Sequence, residues 1–239
     1  MTGVATPEEV EFSSQVRGMF DRIAGVYDLM NTAMTAGLHH RWRERAADRA
    51  ELAPGDLALD ACCGTGDLAF ELARRVEPEG RVIGSDFSES MLDLARKKAA
   101  DRNVASVRFE FGDALALSYD DGTFDAVTVG FGVRNLADLE GGLRELARVL
   151  RPGGTLAVLE ITRPRGILKP FFRLWFDVVV PLLGRVLPGG EAYTYLPASV
   201  RRFPGPDDLS ALLESAGFES VRYRLLGGGI VALHVGVKP

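Results

Sequence analysis

The stretch Leu57–Asp67 reads Leu-Ala-Leu-Asp-Ala-Cys-Cys-Gly-Thr-Gly-Asp and gives the strongest indication of the fold. Its apolar start predicts a strand that reaches Asp60, the glycines Gly64 and Gly66 predict a tight loop, and a helical pattern begins at Asp67. A strand, a glycine loop and a helix N-terminus together let backbone approach an adenosine-containing cofactor closely. The same spacing fits nicotinamide dinucleotides and S-adenosylmethionine, so it does not choose between them.

A second apolar run, Arg81–Ser85, ends in an acid, Asp86, that lies 20 residues after Gly66. A carboxylate at that strand end can accept hydrogen bonds from both hydroxyls of a ribose. The simpler alternative is a strand-to-helix turn that binds no ligand. The two acids together, Asp60 and Asp86, favour the cofactor site.

The bulk composition limits the class of protein. A chain of 239 residues, 46% of them hydrophobic, suits one large α/β domain or one domain with an attached lid. A net charge of −5 and a pI near 5.4 argue against a nucleic-acid-binding protein. The only cysteines are the neighbours Cys62 and Cys63, which cannot make a four-ligand zinc site or a disulfide framework. We therefore expect no metal, and a reducing, cytoplasmic location.

The chain also lacks the patterns of export and of membrane spanning. Its start, Pro7–Glu11, is polar and acidic, unlike a signal peptide. The most apolar stretch, Gly166–Leu187, is interrupted by four charged residues, Lys169, Arg173, Asp177 and Arg185. Because the first three recur every fourth residue, they share one helical face, and the stretch is predicted to be an amphipathic helix.

The pattern along the chain predicts an N-terminal helical lid over residues 1–50 and a cofactor-binding domain over residues 51–239. In the lid, a loose head (Met1–Ser14) precedes helical periodicity with interruptions around Gly25 and Gly37. In the domain, strands alternate with helices, which predicts a doubly wound, mostly parallel α/β sheet. The predicted strands are Asp56–Ala61, Arg81–Ser85, Ser106–Phe111, Ala126–Gly130 and Thr155–Glu160, and the predicted helices are Asp67–Val76, Glu89–Arg102 and Leu136–Leu150.

The C-terminal third departs from this alternation. An amphipathic insert at about residues 165–203 includes the tyrosine-containing segment Glu191–Arg202, and a helix over Asp207–Ala216 follows it. Two closing strands, Ser220–Leu226 and Ile230–Val237, are separated only by three glycines, which favours an antiparallel pair. The complete prediction is a seven-stranded sheet that ends in an antiparallel strand.

Several segments resemble motifs of the class I S-adenosylmethionine-dependent methyltransferases. The loop Cys63–Asp67 is similar to their first motif, Asp86 stands where their ribose-binding acid falls, and Gly112–Ala114 is similar to their adenine-contacting segment. Val149–Gly154 is similar to their turn before the fifth strand. The resemblance implies S-adenosylmethionine as cofactor, with S-adenosylhomocysteine as product. It also implies a set of cofactor-binding residues: Asp60, Gly64, Thr65, Gly66, Asp86, Asp113 and Ala114.

Four longer segments narrow the resemblance to the C-methyltransferases of menaquinone and ubiquinone biosynthesis. They are Met19–Asn31, Gly130–Leu136, Tyr193–Pro204 and Gly229–His234. The likeness covers about residues 15–238 and implies methyl transfer to a ring carbon of a reduced demethylated polyprenyl quinone, with demethylmenaquinol favoured. The alternatives are a methyltransferase for another small hydrophobic phenol and a non-catalytic cofactor- or partner-binding module. A nicotinamide-dependent oxidoreductase is a third, more distant alternative.

Such a reaction needs an ionised quinol, because the phenolate makes the neighbouring ring carbon nucleophilic. A free phenol has a pKa of about 10, so the site must favour its anion. We predict that Arg134 stabilises the developing phenolate and that Asn135 orients it. The alternatives are structural: an ion pair between Arg134 and a helix acid, and an Asn135 cap on a helix beginning at Leu136.

The remaining candidates concern the quinol itself. Tyr27, Tyr193 and Tyr195 are predicted to line the ring pocket, although ordinary packing explains tyrosines equally well. The apolar face of the insert is expected to cover a polyprenyl tail or to rest on a bilayer as a peripheral contact. Lid packing or a homodimer contact is the alternative.

The three histidines give no metal-ligand pattern. His39 and His40 lie in a basic helical stretch, which predicts a solvated face, with a quinol proton acceptor as the alternative. His234 lies in an apolar closing strand and is predicted to be a hydrogen-bonded core histidine.

Overall fold

The computed structural model describes residues 6–164, 169–180, 182 and 190–239. One sheet carries the fold. Its strands are β1 Leu57–Ala61, β2 Arg81–Asp86, β3 Val107–Phe111, β4 Phe124–Gly130, β5 Leu150–Ile161, β6 Glu219–Leu226 and β7 Val231–Val237. The helices are α1 Pro7–Thr35, α2 Leu38–Arg49, α3 Asp67–Val76, α4 Glu89–Asp101, α5 Leu139–Val149, α6 Lys169–Leu174, α7 Gly190–Arg202 and α8 Pro206–Ser215, and a π-helical turn, Trp175–Val179, follows α6.

The strand order in the sheet is β3-β2-β1-β4-β5-β7-β6, with β7 antiparallel to both of its neighbours. Strands β1 to β5 are parallel, as the alternation with helices predicts. The chain leaves β1 toward β2 on one side and returns to β4 on the other. At such a reversal the loops after the strands diverge and leave a crevice for a ligand. The predicted fold class is confirmed.

The core lies on both faces of the sheet, because parallel strands between two helical layers are apolar on both sides. One layer includes α2, α3 and α4, and its buried residues include Trp42, Phe70, Leu72, Leu92 and Phe109. The other includes α5 and α8, with Phe124, Leu143, Leu146, Leu150 and Leu209. This packing fixes the strand ends that carry the candidate site.

Most element boundaries agree with the sequence prediction, and the caps explain why. Ser88 begins α4 by accepting a hydrogen bond from the Met91 amide at 3.2 Å. Gly217 follows α8 with a φ of +98°, a left-handed conformation that favours glycine. The closing strands β6 and β7 form the predicted antiparallel pair.

The predicted loose head is wrong for its described part. Helix α1 begins at Pro7, because the Thr6 hydroxyl accepts from the Glu9 amide at 3.3 Å while the Glu9 carboxylate accepts from the Thr6 amide at 2.7 Å. The predicted interruption at Gly25 is also absent, since α1 continues to Thr35. The second interruption is confirmed: Gly37 has a φ of +77° and separates α1 from α2.

Two further boundaries differ around β4 and β5. The helix predicted from Leu136 begins at Leu139, because Asp138 accepts from the Gly141 amide at 2.8 Å and caps it there. The turn predicted before the fifth strand is part of β5. The Gly153 amide donates to the Lys238 carbonyl at 2.8 Å, so this segment pairs with the end of the chain.

The amphipathic insert is described in part, as α6, the π-helical turn and α7. The side chains of its predicted charged face, Lys169, Arg173 and Asp177, and that of Arg185 lie outside the described residues. No helix in the described part of the chain is both long enough and apolar enough to cross a bilayer. The division into a lid and a cofactor domain at residue 50 stays a prediction.

Candidate active site

A cleft opens at the carboxyl ends of β1, β2 and β4, where the strand order reverses. Four of the predicted cofactor-binding residues line it: Gly64, Asp86, Asp113 and Ala114. The other three, Asp60, Thr65 and Gly66, are not among its lining residues and lie around the glycine loop instead. The loop therefore has a ligand-facing side and a supporting side.

Asp86 is the buried acid of the ligand-facing side. One carboxylate oxygen accepts from the Gly64 amide at 2.8 Å and the other from the Ser88 amide at 2.9 Å. Burial raises the pKa of Asp86 to about 6, against the lowering effect of these backbone hydrogen bonds. Each carboxylate oxygen has two lone pairs, so Asp86 can still accept hydrogen bonds from a ribose.

Asp60 lies on the supporting side and is 1% exposed. The Thr128 hydroxyl donates to its Oδ1 at 2.8 Å, whereas its Oδ2 has no hydrogen-bond partner among the described residues. Burial raises the pKa of Asp60 to about 7. Its predicted contact with the cofactor stays a prediction, because Asp60 is not among the residues that line the cleft.

Thr65 joins the loop to the helical lid. Its hydroxyl donates to Asp28 on α1 at 2.7 Å and accepts from Lys98 on α4 at 2.9 Å, while Lys98 also pairs with Asp67 at 2.9 Å. Asp28 and Lys98 are functional candidates that the sequence analysis missed. They lie 37 and 33 residues from Thr65, and charged residues on exposed helix faces give no pattern that marks them.

Gly66 is needed for close packing under the loop. Its φ is +85°, and a Cβ added there would lie 2.6 Å from the Phe109 ring. We expect Gly66→Ala to lower the free energy of unfolding by about 3 kcal/mol, the sum of left-handed backbone strain and overpacking. Urea unfolding measures this loss.

Gly37→Ala is the matched control for Gly66→Ala. Gly37 has a φ of +77°, and its added Cβ would meet nothing within 4 Å. This control retains the backbone strain without the clash, so we expect a loss of about 1 kcal/mol. Equal losses in the two variants would contradict the packing explanation.

A second, mostly apolar cavity of about 510 Å³ lies beside the cleft, under α1, α2 and the insert. Its polar lining residues include Asn31, His39, Arg134 and Tyr195. Three residues, Phe20, Tyr27 and Phe131, line both the cleft and the cavity. The two spaces therefore adjoin at these aromatic rings, as a methyl donor and an apolar acceptor require.

Arg134 lies on a 3₁₀ turn after β4 and faces this cavity. Its side chain is 7% exposed and pairs at 2.7 Å with Glu160, which is 1% exposed, and it donates also to the Phe131 carbonyl. Its Nε has no hydrogen-bond partner among the described residues. The structural alternative is thus half right, since an ion pair exists but its acid lies on strand β5 and not on a helix.

Asn135 lines the cleft next to Arg134. Its amide group donates to the Phe131 carbonyl at 3.4 Å, and its oxygen accepts from the Tyr195 hydroxyl at 3.0 Å. The alternative role of Asn135 as the cap of a following helix is wrong, because Asp138 caps α5. Asn135 and Tyr195 are therefore joined across 60 residues of sequence.

The three predicted tyrosines separate into two groups. Tyr27 and Tyr195 line the cavity. Tyr193 is not among the lining residues, is 1% exposed and packs with Met19 and Ile23 of α1. Two residues apart on a helix face nearly opposite directions, so Tyr193 and Tyr195 could not both face the cavity.

The histidines and cysteines also differ in environment. His39 is 2% exposed, so the predicted solvated face is wrong for it, whereas His40 is exposed. His234 is a core histidine as predicted, with its Nε2 2.9 Å from the Pro206 carbonyl oxygen. Burial raises the pKa of the Cys62 and Cys63 thiols, which fits packing rather than redox chemistry.

Comparison with known proteins identifies the family. A model of the ubiE/COQ5 methyltransferase family matches residues 8–238. The chain belongs to this family. Among its relatives, the demethylmenaquinone methyltransferase of Thermus thermophilus is 50% identical over 224 residues, which cover 92% of this chain and 100% of that protein. The enzyme of the same name from Deinococcus radiodurans is 47% identical over 225 residues, 93% of this chain and 92% of that protein.

Solved structures agree with this family member at the level of the fold. An S-adenosylmethionine-dependent methyltransferase from Aquifex aeolicus has a TM-score of 0.60 at 19% identity and covers 82% of this chain and 89% of its own. The [4+2]-cyclase SpnF has a TM-score of 0.71 at 20% identity and covers 95% of this chain and 97% of its own. The predicted methyltransferase family is thus confirmed by sequence, and the S-adenosylmethionine-dependent methyltransferase fold by structure.

Proposed function

We propose that this methyltransferase transfers a methyl group from S-adenosylmethionine to a ring carbon of a reduced demethylated polyprenyl quinone, and that demethylmenaquinol is the acceptor. The observation that carries the proposal is that the cleft holding Asp86 and the large apolar cavity adjoin at Phe20, Tyr27 and Phe131. The cavity suits an aromatic head group and the start of an apolar tail. The names of the Thermus and Deinococcus relatives support the same acceptor.

The cleft fits an adenosyl cofactor. Asp86 retains lone pairs for ribose hydroxyls, Gly64 leaves open space beside its backbone, and Asp113 and Ala114 close the adenine side. S-adenosylmethionine supplies an electrophilic methyl group on a sulfonium and leaves as S-adenosylhomocysteine. No metal is part of this proposal, because the leaving group is already charged.

The residues around the adjoining rings activate and orient the acceptor. Arg134 lines the cavity, and its buried guanidinium supplies a cation there, which favours the phenolate form of the quinol. Asn135 and Tyr195 hold each other by a hydrogen bond and orient the ring. Burial raises the pKa of the Tyr195 hydroxyl, so this group remains a donor.

The proposal is tested by incubating the purified protein with methyl-labelled S-adenosylmethionine and a panel of reduced quinones and simple phenols. We expect label on a ring carbon of demethylmenaquinol, located by mass spectrometry and NMR. Label on an oxygen atom, or only on an unrelated phenol, would support the alternative substrate. Cofactor binding without any methyl transfer would support the binding module.

We further propose that the enzyme works in the cytoplasm at a membrane surface, where a polyprenyl quinone is stored. Support comes from the insert helix and the turn that follows it. Phe172, Phe176 and Val180 line the cavity with one face, whereas Leu174, Val178 and Leu182 are 57%, 53% and 55% exposed on another. Both sets repeat every fourth residue, so each forms a stripe along the helical segment that begins with α6 and continues through the π-helical turn. The exposed stripe of Leu174, Val178 and Leu182 is therefore next to the cavity that a lipid tail would enter.

The double variant Leu174→Ser with Val178→Ser tests this contact. Since each apolar side chain contributes about 1 kcal/mol when buried in lipid, we expect binding to vesicles to fall at least about tenfold. Flotation with phospholipid vesicles measures it. Turnover of a long-tailed quinol in vesicles should fall in parallel, while turnover of a tail-less quinol should not.

Leu225→Ser is the matched control, because Leu225 is 47% exposed on β6 and does not line the cavity. It should bind vesicles like the parent protein. Unchanged flotation of the double variant would refute the membrane contact. If the double variant instead changed the sedimentation of the free protein, the stripe would be a homodimer contact.

A further inference from the structure

His39 is a buried polar group that the proposed reaction does not use. It lies in the first turn of α2, is 2% exposed and is one of the residues that line the apolar cavity. Arg43, one turn further along the same helix, donates a hydrogen bond to its Nδ1. An imidazole held in this way at the wall of a cavity has one remaining nitrogen, Nε2, for other contacts.

The neighbours of His39 determine where its proton lies. A guanidinium has only donors, so Nδ1 must be the bare, accepting nitrogen, and the proton of the neutral ring is on Nε2. The other neighbour requires the same arrangement. The Thr32 hydroxyl donates to the Asp28 carbonyl at 2.8 Å, which leaves its oxygen to accept from Nε2 at 3.3 Å. His39 is therefore an N–H donor.

Two further observations exclude other roles for this ring. Burial, reinforced by Arg43 and His40, lowers the pKa of His39 to about 4, so the imidazole is neutral at pH 7. A metal site is the second alternative, because His39, His40 and Asp67 place ligand atoms within 4.8 Å of one another. However, Arg43 occupies Nδ1 of His39, and Lys98 pairs with Asp67 at 2.9 Å. Cationic side chains therefore already occupy these two potential ligand atoms.

Arg43 and Arg134 contact different parts of Phe131. The Arg43 guanidinium lies 5.3 Å from the centre of the Phe131 ring, whereas Arg134 donates to the Phe131 carbonyl. His39, held by Arg43, thus belongs to a different part of the cavity wall from Arg134. A hydroquinone has two ring oxygens on opposite sides of the ring, so it can present one acceptor oxygen to His39 and the other to Arg134.

We propose that His39 is a specificity residue whose Nε2–H donates a hydrogen bond to the second ring oxygen of the acceptor, the one away from Arg134. The inference rests on the proposed function and adds the residue that selects its acceptor, a 1,4-dioxygenated ring, over a simple phenol. The contact to Thr32 is long for a hydrogen bond, so the donor is readily redirected to a better acceptor. A site that donates to an oxygen discriminates against an analogue without it.

The test compares two acceptors, a reduced 1,4-naphthoquinol and the matching 1-naphthol, each with the same short prenyl group. His39→Phe removes the donor, and His39→Gln returns an amide N–H near the position of Nε2. We expect His39→Phe to reduce the ratio of kcat/KM for quinol over naphthol about tenfold, and His39→Gln to restore most of it. His40→Phe is the matched control, since His40 is exposed, and should leave the ratio unchanged.

Binding of S-adenosylhomocysteine, measured by calorimetry, confirms that each variant is folded. If His39→Phe slows both acceptors equally, the ratio stays constant, His39 is structural and the inference fails. An unchanged rate with both acceptors also refutes it. If the parent protein methylates neither acceptor, the proposed function fails instead, so the two failures are distinct.

Discussion

Arg134→Met is expected to lower kcat at least about 100-fold, because in the proposed reaction it removes the cation that stabilises the developing phenolate. It should also lower the free energy of unfolding by about 3–5 kcal/mol, since Glu160 then remains as an unpaired buried charge. Single-turnover rates at saturating S-adenosylmethionine and urea unfolding measure the two effects. The affinity for S-adenosylhomocysteine should change little, because Arg134 lines the apolar cavity and not the cofactor cleft.

The double variant Arg134→Met with Glu160→Gln separates catalysis from stability. Glutamine retains an acceptor for the Ile161 amide, which donates to Glu160 at 2.8 Å, but has no charge to leave unpaired. We expect most of the lost stability to return while turnover remains low. Recovery of turnover together with stability would assign Arg134 a purely structural role.

Asp60→Asn is expected to change how stability depends on pH. The folded-state pKa of Asp60, about 7, is above its ordinary value of 3.8, so the folded protein holds this proton more tightly than the unfolded chain. Ionisation therefore costs stability as the pH rises from about 4 to about 7. At 1.36 kcal/mol for each unit of pKa, the loss amounts to about 4 kcal/mol. Asparagine resembles the protonated acid and does not ionise.

The measurement is urea unfolding of the parent protein and of Asp60→Asn at intervals between pH 4 and pH 8. The variant should gain stability relative to the parent as the pH rises, by up to about 4 kcal/mol. Asp120→Asn, at an exposed position, is the control and should stay within about 0.5 kcal/mol of the parent. A constant difference between Asp60→Asn and the parent would show that Asp60 ionises equally easily in both states.

The sequence was sufficient for the sheet and for most of the cofactor cleft. Apolar runs, glycine turns and caps such as Ser88 are local signals, and the structure has strands and helices where they occur. The glycine loop and Asp86 are also local, because both lie directly after strands. The errors at Leu136 and at the fifth strand arose where a cap two residues later, Asp138, or a long-range contact decides the boundary.

The acceptor side was less predictable, because its contacts join distant parts of the chain. The ion pair between Arg134 and Glu160 spans 26 residues, and the hydrogen bond between Tyr195 and Asn135 spans 60. Tyr193 and Tyr195 lie in one segment, and their opposite directions follow only once that segment is known to be a helix. The burial of His39 was missed because the basic residues around it are typical of an exposed face.

Helix α1 contributes Phe20 and Tyr27 to the boundary between the two compartments, and its Asp28 is fastened to the glycine loop through Thr65. A ligand in the cleft and a ligand in the cavity would therefore both contact helix α1. If a ligand on one side orders α1, it also prepares α1 for a ligand on the other side, and we expect binding at the two sites to be thermodynamically linked. Such linkage is reciprocal: a bound methyl donor would raise the affinity for the acceptor by the same factor as the acceptor would raise the affinity for the donor.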